Sequence, residues 1–406
     1  MAYITKVLVE NCRNVERLEV DLTAPGRPRH LILTGPNGSG KSGVLAAIAT
    51  EVQWDVQGAD KPLQHYVAAR EAYRKQANAA VVAQFDQQVA ALKAERPATL
   101  SWDVPLASLA AEFSGGRFIS VYLDVKRLLE PAPVSGPTKL VWAPNQLNPS
   151  VHVAAQFLQF LVNKKTEQAF ASSDRDEVTA QRIEAWFDDF WKQVGRLLED
   201  EGLTVKFDRQ TYNFVFTRRD GHPFDLRTLA DGHAAVLSIL AEILLRVDAA
   251  ERASGDRTKQ PSGVVIIDEI ETHLHLKLQE DILPFLSALF PEIQFILATH
   301  SPVVMASIPH AVVYDFGKRE ASPSEEFRGI RYGALMTGHF GIPDDIDLDT
   351  LEKLREMRAL AAKTRDADED EKLTTLATEL AGRSASMALE VFIATKGQRG
   401  QPAPAA

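Results

Sequence analysis

The stretch Gly35-Pro36-Asn37-Gly38-Ser39-Gly40-Lys41-Ser42 leaves this chain the fewest folds to choose from. It has the required residue at every fixed position of the phosphate-loop pattern G-x-x-x-x-G-K-[ST]. A short apolar run, Leu31-Ile32-Leu33, precedes it, and a helical run from Gly43 to Glu51 follows. Strand, glycine-rich loop and helix in that order are the context the pattern needs. The glycines let backbone N–H groups turn inward as an anion nest. The helix beginning near Lys41 adds the positive end of its dipole. Lys41 is then placed to reach β- and γ-phosphates, and Ser42 to give its hydroxyl to Mg²⁺. ATP with Mg²⁺ is the expected ligand, with Asn37, Gly38, Ser39, Gly40, Lys41, Ser42 and Gly43 as its contacts.

A second stretch supplies carboxylates. Val264-Val265-Ile266-Ile267-Asp268-Glu269 is an apolar run of the kind buried parallel strands show, ending in two acids. In an open α/β sheet, ligands gather at the carboxyl ends of strands. Asp268 is therefore expected to hold Mg²⁺, and Glu269 to act as general base on an attacking water. Ile293 to Ala298 and Ala311 to Phe316 are further buried strands, and the Phe118 to Leu123 run is another. Leu226 to Val247 and Leu278 to Phe290 read as helices, the latter with a bend at Pro284. Strands alternating with helices predict an α/β sheet.

Ile4 to Val9 and Leu18 to Leu22 alternate with period two and predict a β-rich N-terminal subdomain, turning at Asn11 to Asn14. Pro62 to Arg96 reads as one or two exposed amphipathic helices. The stretch from Pro131 to Pro149 reads as a loop. Helices are expected over Val151 to Lys164 and Asp176 to Glu199, and a hairpin over Thr204 to Asp208 and Asn213 to Thr217. Leu348 to Lys363 is amphipathic, Asp366 to Lys372 reads as a charged break, and Leu373 to Thr395 as one final helix.

The chain of 406 residues carries a net charge of −10, which argues against a general nucleic-acid coat but leaves room for a local basic groove. One cysteine, Cys12, excludes an intrachain disulfide framework and reads as a buried filler. No apolar run reaches the roughly 18 residues of a membrane span, and the start shows no charged leader before an apolar stretch. The cytoplasm is the expected location.

Asp268-Glu269-Ile270-Glu271-Thr272-His273-Leu274-His275 resembles the Walker B and D-loop of ABC-type ATPase heads in the SMC, RecF and OLD group, which read D-E-P-E-x-H-L-H-P. Ile270 and Leu276 stand where prolines are usual. Thr299-His300-Ser301-Pro302 is similar to the family's switch loop, and implies that His300 contacts the γ-phosphate. Leu229-Ala230-Asp231-Gly232-His233 resembles the ABC signature, with Ala230 in place of the usual Ser. It implies that Asp231, Gly232 and His233 close over nucleotide held by a second protomer. Asn11-Cys12-Arg13-Asn14 is similar to the N-F-R-N turn of RecF and SMC heads, which brings Arg13 to the phosphates. Tyr122 to Arg127 occupies the place of the Q-loop without a clear Gln, and Lys126 and Arg127 there are possible contacts to nucleotide or DNA.

The resemblance implies a P-loop NTPase with an ABC-type head, a mixed or parallel sheet, a helical lobe and a helical C-terminal extension. Residues 1–60 and 225–317 form the expected ATPase core, 61–224 an inserted helical arm and lobe, 318–396 the extension and 397–406 a disordered tail. It further implies a head-to-tail dimer that hydrolyses ATP, slowly or with a partner's help. About 90 residues follow Phe316, too few for a usual Toprim nuclease domain, so a separate protein effector such as a nuclease is expected. The stretch 333–360, with His339-Phe340-Gly341-Ile342-Pro343, is the expected docking region. Bacterial anti-phage defence is the favoured setting. A RecF-like DNA repair clamp is the alternative, and a transporter ATPase a third. A clamp requires a basic groove and ATP-dependent duplex binding; a defence regulator copurifies with its effector.

Overall fold

The computed structural model describes residues 2–26, 28–57, 61–75, 79–127, 129–140, 153–256, 259–338 and 347–396. They form two compact units, Met1–Gly329 and Ile330–Ala406. The first unit begins with β1 (Ile4–Cys12), β2 (Val15–Asp21), β3 (His30–Thr34), α1 (Lys41–Val56), α2 (Lys61–Lys75), α3 (Ala79–Glu95), β4 (Ala98–Trp102), α4 (Leu106–Ser114) and β5 (Phe118–Leu123). It continues with α5 (Phe157–Ser173), α6 (Glu177–Leu197), β6 (Thr204–Asp208), β7 (Asn213–Thr217), β8 (Pro223–Phe224) and α7 (Asp231–Ser254). It closes with β9 (Ser262–Ile267), α8 (Leu276–Leu289), β10 (Ile293–Ala298), α9 (Pro302–Met305), β11 (Ala311–Asp315) and β12 (Glu320–Pro323).

The main sheet has the order β12-β11-β3-β10-β9-β5. Its pairings are parallel except for the edge hairpin of β11 with β12. The inner strands are mostly apolar because both faces are covered, and every residue of β9, β10 and β11 is buried. Parallel alignment brings the ends of β3, β5, β9 and β10 to one edge. β3 lies between β10 and β11, so the loop leaving it emerges where connections part to either side, the usual ligand position in such sheets. This is an α/β P-loop fold.

A second sheet, β2-β1-β4, is antiparallel and alternates. It turns Val7, Val9, Leu18, Val20 and Leu100 toward α1, whose Val44, Leu45, Ile48 and Val52 share one core with Leu31, Leu33 and Ile266 of the main sheet. Two polar devices lock this sandwich. Gln294 accepts from the Ile4 N–H at 2.8 Å and donates to the Ile4 carbonyl at 2.9 Å. Arg96 grips the Glu51 carboxylate with Nε at 2.9 Å and Nη2 at 2.6 Å, pinning α1 beside the end of α3. α2 and α3 form a helical hairpin in which Phe85 meets Tyr66 and Tyr73. In the lobe, α5, α6 and the sheet β6-β7-β8 are joined by rings of Phe157, Trp186, Phe190, Trp191 and Phe214.

The division expected from the sequence changes in two places. Residues 61–224 are no simple insertion, because they contribute β4 and β5, each paired to a strand of the expected core. The first unit also runs past 317, since β12 pairs with β11 by β-hairpin bonding.

The second unit holds α10 (Tyr332–Gly338), α11 (Leu348–Ala361), α12 (Ala367–Arg383) and α13 (Ala385–Lys396). Leu354, Met357, Leu380, Met387 and Val391 form its core. The charged stretch 366–372 is the start of α12 rather than a break. Asp366 caps the helix by accepting from the Glu369 N–H at 2.9 Å, and Asp368, Glu369 and Asp370 lie in the first turn, where the dipole favours acids. The single final helix is two: Ser384 is extended, at φ −163° and ψ 161°, and its hydroxyl accepts from the Met387 N–H. Of the expected docking region 333–360, residues 339–346 lie outside the described residues, as does the tail 397–406; the rest of that region, apart from residue 347, belongs to α10 and α11. No helix among those residues is long and apolar enough to cross a membrane.

Candidate functional site

A cavity of about 350 Å³ opens at the carboxyl edge of the main sheet. Arg13, Asn14, Asn37, Gly38, Gly40, Lys41, Ser42, Gly43, Glu269 and His300 line it. The loop after β3 bends at Gly35, Gly38 and Gly40, whose φ values of 141°, 75° and 106° belong to glycine. α1 starts at Lys41, and its N-cap, Gly40, offers no side-chain acceptor to the first turn. The helix N-terminus therefore keeps donors for an anion. Lys41, 5% exposed, donates to the Gly35 and Pro36 carbonyls at 2.9 Å each, with Ser39 Oγ at 3.4 Å. Burial pulls its pKa down, and the carboxylates of Glu269, Asp268 and Glu271 oppose that.

The β1–β2 turn is seated directly on this loop. Asn14 donates to the Gly38 carbonyl at 2.6 Å, and a Cβ on Gly40 would meet Val15 at 2.6 Å. Arg13, at φ 53°, lays its side chain over Gly43, where an added Cβ would meet Arg13 Cδ at 3.1 Å. Arg13 thus reaches the cavity from the second sheet.

On the opposite wall, β9 delivers Asp268, which is 4% exposed. Burial raises its pKa, a hydrogen bond from Ser42 works against that, and its Oδ1 has no hydrogen-bond partner. An orphaned buried carboxylate oxygen beside a serine hydroxyl fits a magnesium ion, which prefers one or two protein oxygens and fills its shell with phosphate and water. Among the described residues no group of three or more His, Cys, Asp and Glu could hold a metal unaided.

Glu269 sits at φ 45°, a conformation that costs a residue with a Cβ about 1–2 kcal/mol. The kink turns it out of the strand and into the cavity. Thr272 donates its N–H to the Glu269 carbonyl at 3.0 Å, with Thr272 Oγ1 3.4 Å from Glu269 Oε2. Glu271, unassigned from the sequence, accepts from Thr299 Oγ1 at 2.7 Å and from the His300 N–H, tying the two strand ends together. His300 lines the cavity, and burial followed by the nearby Lys41 charge holds its pKa below the ordinary histidine value. Burial also pushes the Tyr122 hydroxyl up to about 12, marking this edge of the sheet as poorly solvated.

Arg127 does not face the cavity as a contact to nucleotide or DNA. It is 3% exposed and bonds three main-chain carbonyls, those of Asp124, Asp268 and Glu269. Two of these three partners lie 141 and 142 residues along the chain, so no local sequence signal could have assigned its role.

Asp231, Gly232 and His233 lie apart from this cavity's lining. They open α7, whose N-cap is Ala230 with no side-chain cap, so Asp231 does not cap it. Ala230 and Asp231 are exposed. Gly232 has a reason within its own chain: a Cβ there would meet the His273 carbonyl oxygen at 2.8 Å. His233 faces His275 edge-on at 6.5 Å, its Nδ1 is buried without a partner, and burial lowers its pKa. The loop at Gly232 and the loop of Glu271 to His275 are therefore packed as one piece.

The chain is similar to a Septu protein PtuA from Bacillus mycoides (strain KBAB4), 25% identical over 370 residues, covering 86% of this chain and 46% of the relative. It is also similar to a retron Vc95 probable ATPase from Vibrio cholerae serotype O1 biovar El Tor, 33% identical over 104 residues, or 26% of this chain and 20% of the relative. It thus spans half or less of the length of these curated relatives. Among solved structures, the SMC head domain from Thermotoga maritima aligns with 79% of this chain and 98% of that one, at 14% identity and a TM-score of 0.36. A family model described as "AAA domain, putative AbiEii toxin, Type IV TA system" matches residues 99–306. That segment starts after the phosphate loop and takes in Asp268, Glu269 and His300. It covers just over half of the 406 residues, and the chain belongs to this AAA-domain family.

Proposed function

We propose that this chain is an ABC-type ATPase head that binds ATP and hydrolyses it to ADP and phosphate. The observation that carries the reading is the single cavity shared by Lys41, Ser42, Glu269 and His300, with the orphaned Asp268 oxygen beside Ser42. The retron relative's description as a probable ATPase supports the hydrolytic half. Lys41, now bonded to loop carbonyls, would transfer its donors to phosphate oxygens. Ser42 and Asp268 would hold Mg²⁺, which when bound neutralises phosphate charge. Glu269 would take the proton of the attacking water, and His300 would contact the γ-phosphate. Arg13 would add a cation from the opposite rim.

His300 would act as a neutral ring, since a proton there sets a second cation beside Lys41. A lowered pKa means protonation sets in at lower pH than for a free histidine. The acid limb due to His300 in a kcat–pH profile is therefore expected below 6.5. A limb at or above 6.5 that vanishes in His300→Gln would contradict a neutral His300.

The proposed working unit is a head-to-tail dimer in which the exposed Ala230 and Asp231 of one protomer cap nucleotide in the other. Light scattering tests this. With ATP and Mg²⁺ the 44.8 kDa chain should double in mass, and Ala230→Glu, which sets a carboxylate against triphosphate, should prevent doubling while each monomer still binds ATP. A mass that stays at 44.8 kDa, with turnover independent of protein concentration, sinks the shared site.

We further read the chain as the regulator of a separate protein effector in bacterial anti-phage defence. That rests on the OLD-like motif set and the likeness to Septu PtuA. Copurification of an effector encoded beside it tests the reading, and ATP-dependent binding of bare duplex DNA without such a partner would favour the repair clamp.

A further inference from the structure

We propose that Arg127 is a positioning residue that holds the Glu269 backbone in its hydrolytic geometry, an inference that rests on Glu269 being the base. The last backbone rung between β5 and β9 runs from the Asp268 N–H to the Leu123 carbonyl at 2.9 Å. β5 then leaves the sheet at Asp124, whose carboxylate accepts the Lys126 N–H at 3.0 Å and folds the chain back. That return sends the Arg127 side chain to where the next rungs would have been. Nη1 donates to the Asp124 carbonyl at 2.6 Å and to Asp268 at 2.5 Å, and Nη2 donates to Glu269 at 2.7 Å. A guanidinium continues the ladder that the strand has abandoned.

The geometry is specific to a fork. In a regular strand, successive carbonyls point to opposite sides. Here the carbonyls of residues 268 and 269 both meet one planar group, which the positive φ of Glu269 makes feasible. Arg127 and the kink therefore require each other. The buried cation's hydrogen bonds go to main-chain carbonyls, while Asp268, Glu271, Asp124 and Glu269 all lie near enough to favour its charge. The side chain thus fixes the position of the two acidic residues through their main chain and leaves their carboxylates free. Lysine could supply the charge but not the rigid two-nitrogen fork.

The test uses the full chain, as Arg127→Lys and Arg127→Met, each alone and with Glu269→Gln. If Arg127 acts through Glu269, kcat falls by about 10- to 100-fold, as for a misplaced catalytic group. ATP affinity stays within about threefold, and Arg127→Met adds no further loss to Glu269→Gln. Amide exchange across residues 268–274 speeds up by about tenfold in the variants, while residues 35–44 are unchanged. Parental kcat in Arg127→Met, losses that multiply in the double variant, or unchanged exchange at 268–274 overturn the proposal. If Arg127→Met fails to fold, Arg127→Lys carries the same readouts. Exchange needs no turnover, so it judges Arg127 even if Glu269→Gln turns over at the parental rate, a result that removes the base instead.

Discussion

Glu269→Gln is expected to lower kcat by about 10²- to 10⁴-fold, the usual contribution of a general base. The substitution keeps shape and removes the proton acceptor. Among the described residues Glu269 makes no ion pair, and its carboxylate contact is with Thr272 at 3.4 Å, so the packing around it should survive. ATP affinity should hold or rise, because one negative charge leaves the neighbourhood of the triphosphate. Steady-state turnover together with equilibrium binding of a fluorescent ATP analogue separates the two effects. Parental kcat in the variant would remove Glu269 from the chemistry.

Lys41→Met is the second large expectation, and it acts on binding. Hydrogen bonds to charged groups are worth about 1.5–3 kcal/mol, so ATP affinity should fall by about 10- to 100-fold. Two further consequences follow from the geometry. The Gly35 and Pro36 carbonyls lose the donor that both now share, which loosens the phosphate loop. Asp268, Glu269 and Glu271 lose one of the cations near them. Lys41→Arg keeps the charge and changes the reach, so it separates electrostatics from fit. Binding by Lys41→Met within about threefold of the parental value would remove Lys41 from phosphate recognition.

Much of the core could be read directly from residues, and the reason is burial. A strand covered on both faces is driven to be largely apolar, so Phe118–Leu123 and Ile293–Ala298 show their bounds in one dimension. The phosphate loop is equally legible, because backbone conformation forces its glycines. β4 escaped because only Ala98 and Leu100 of its five residues are buried, too weak an alternation to notice after a helix. The α12 start was misread because a run of acids resembles a solvated break, whereas a helix N-terminus attracts them. Arg127 and Glu271 escaped for another reason: each acts on main chain or on a neighbouring strand end, and such roles leave no pattern in residue order. The glycine of the signature-like loop carries a complementary lesson. Gly232 is needed for close approach to His273 within the chain, so its presence alone does not argue for a second protomer.

The strand order of the main sheet bears on how the molecule is made. β3 leaves the ribosome more than two hundred residues before either of its neighbours, β10 and β11. Leu31 aligns with Ile296 on one side and Val312 on the other. Such long-range pairing is slow, because loop closure has to precede any gain from contact. The nascent chain must therefore carry β3, with its apolar Leu31, Ile32 and Leu33, unpaired until β10 and β11 have been made, which exposes it to aggregation until residue 315 is free. An interrupted message yields an intact phosphate-loop sequence without the sheet that gives the loop its shape.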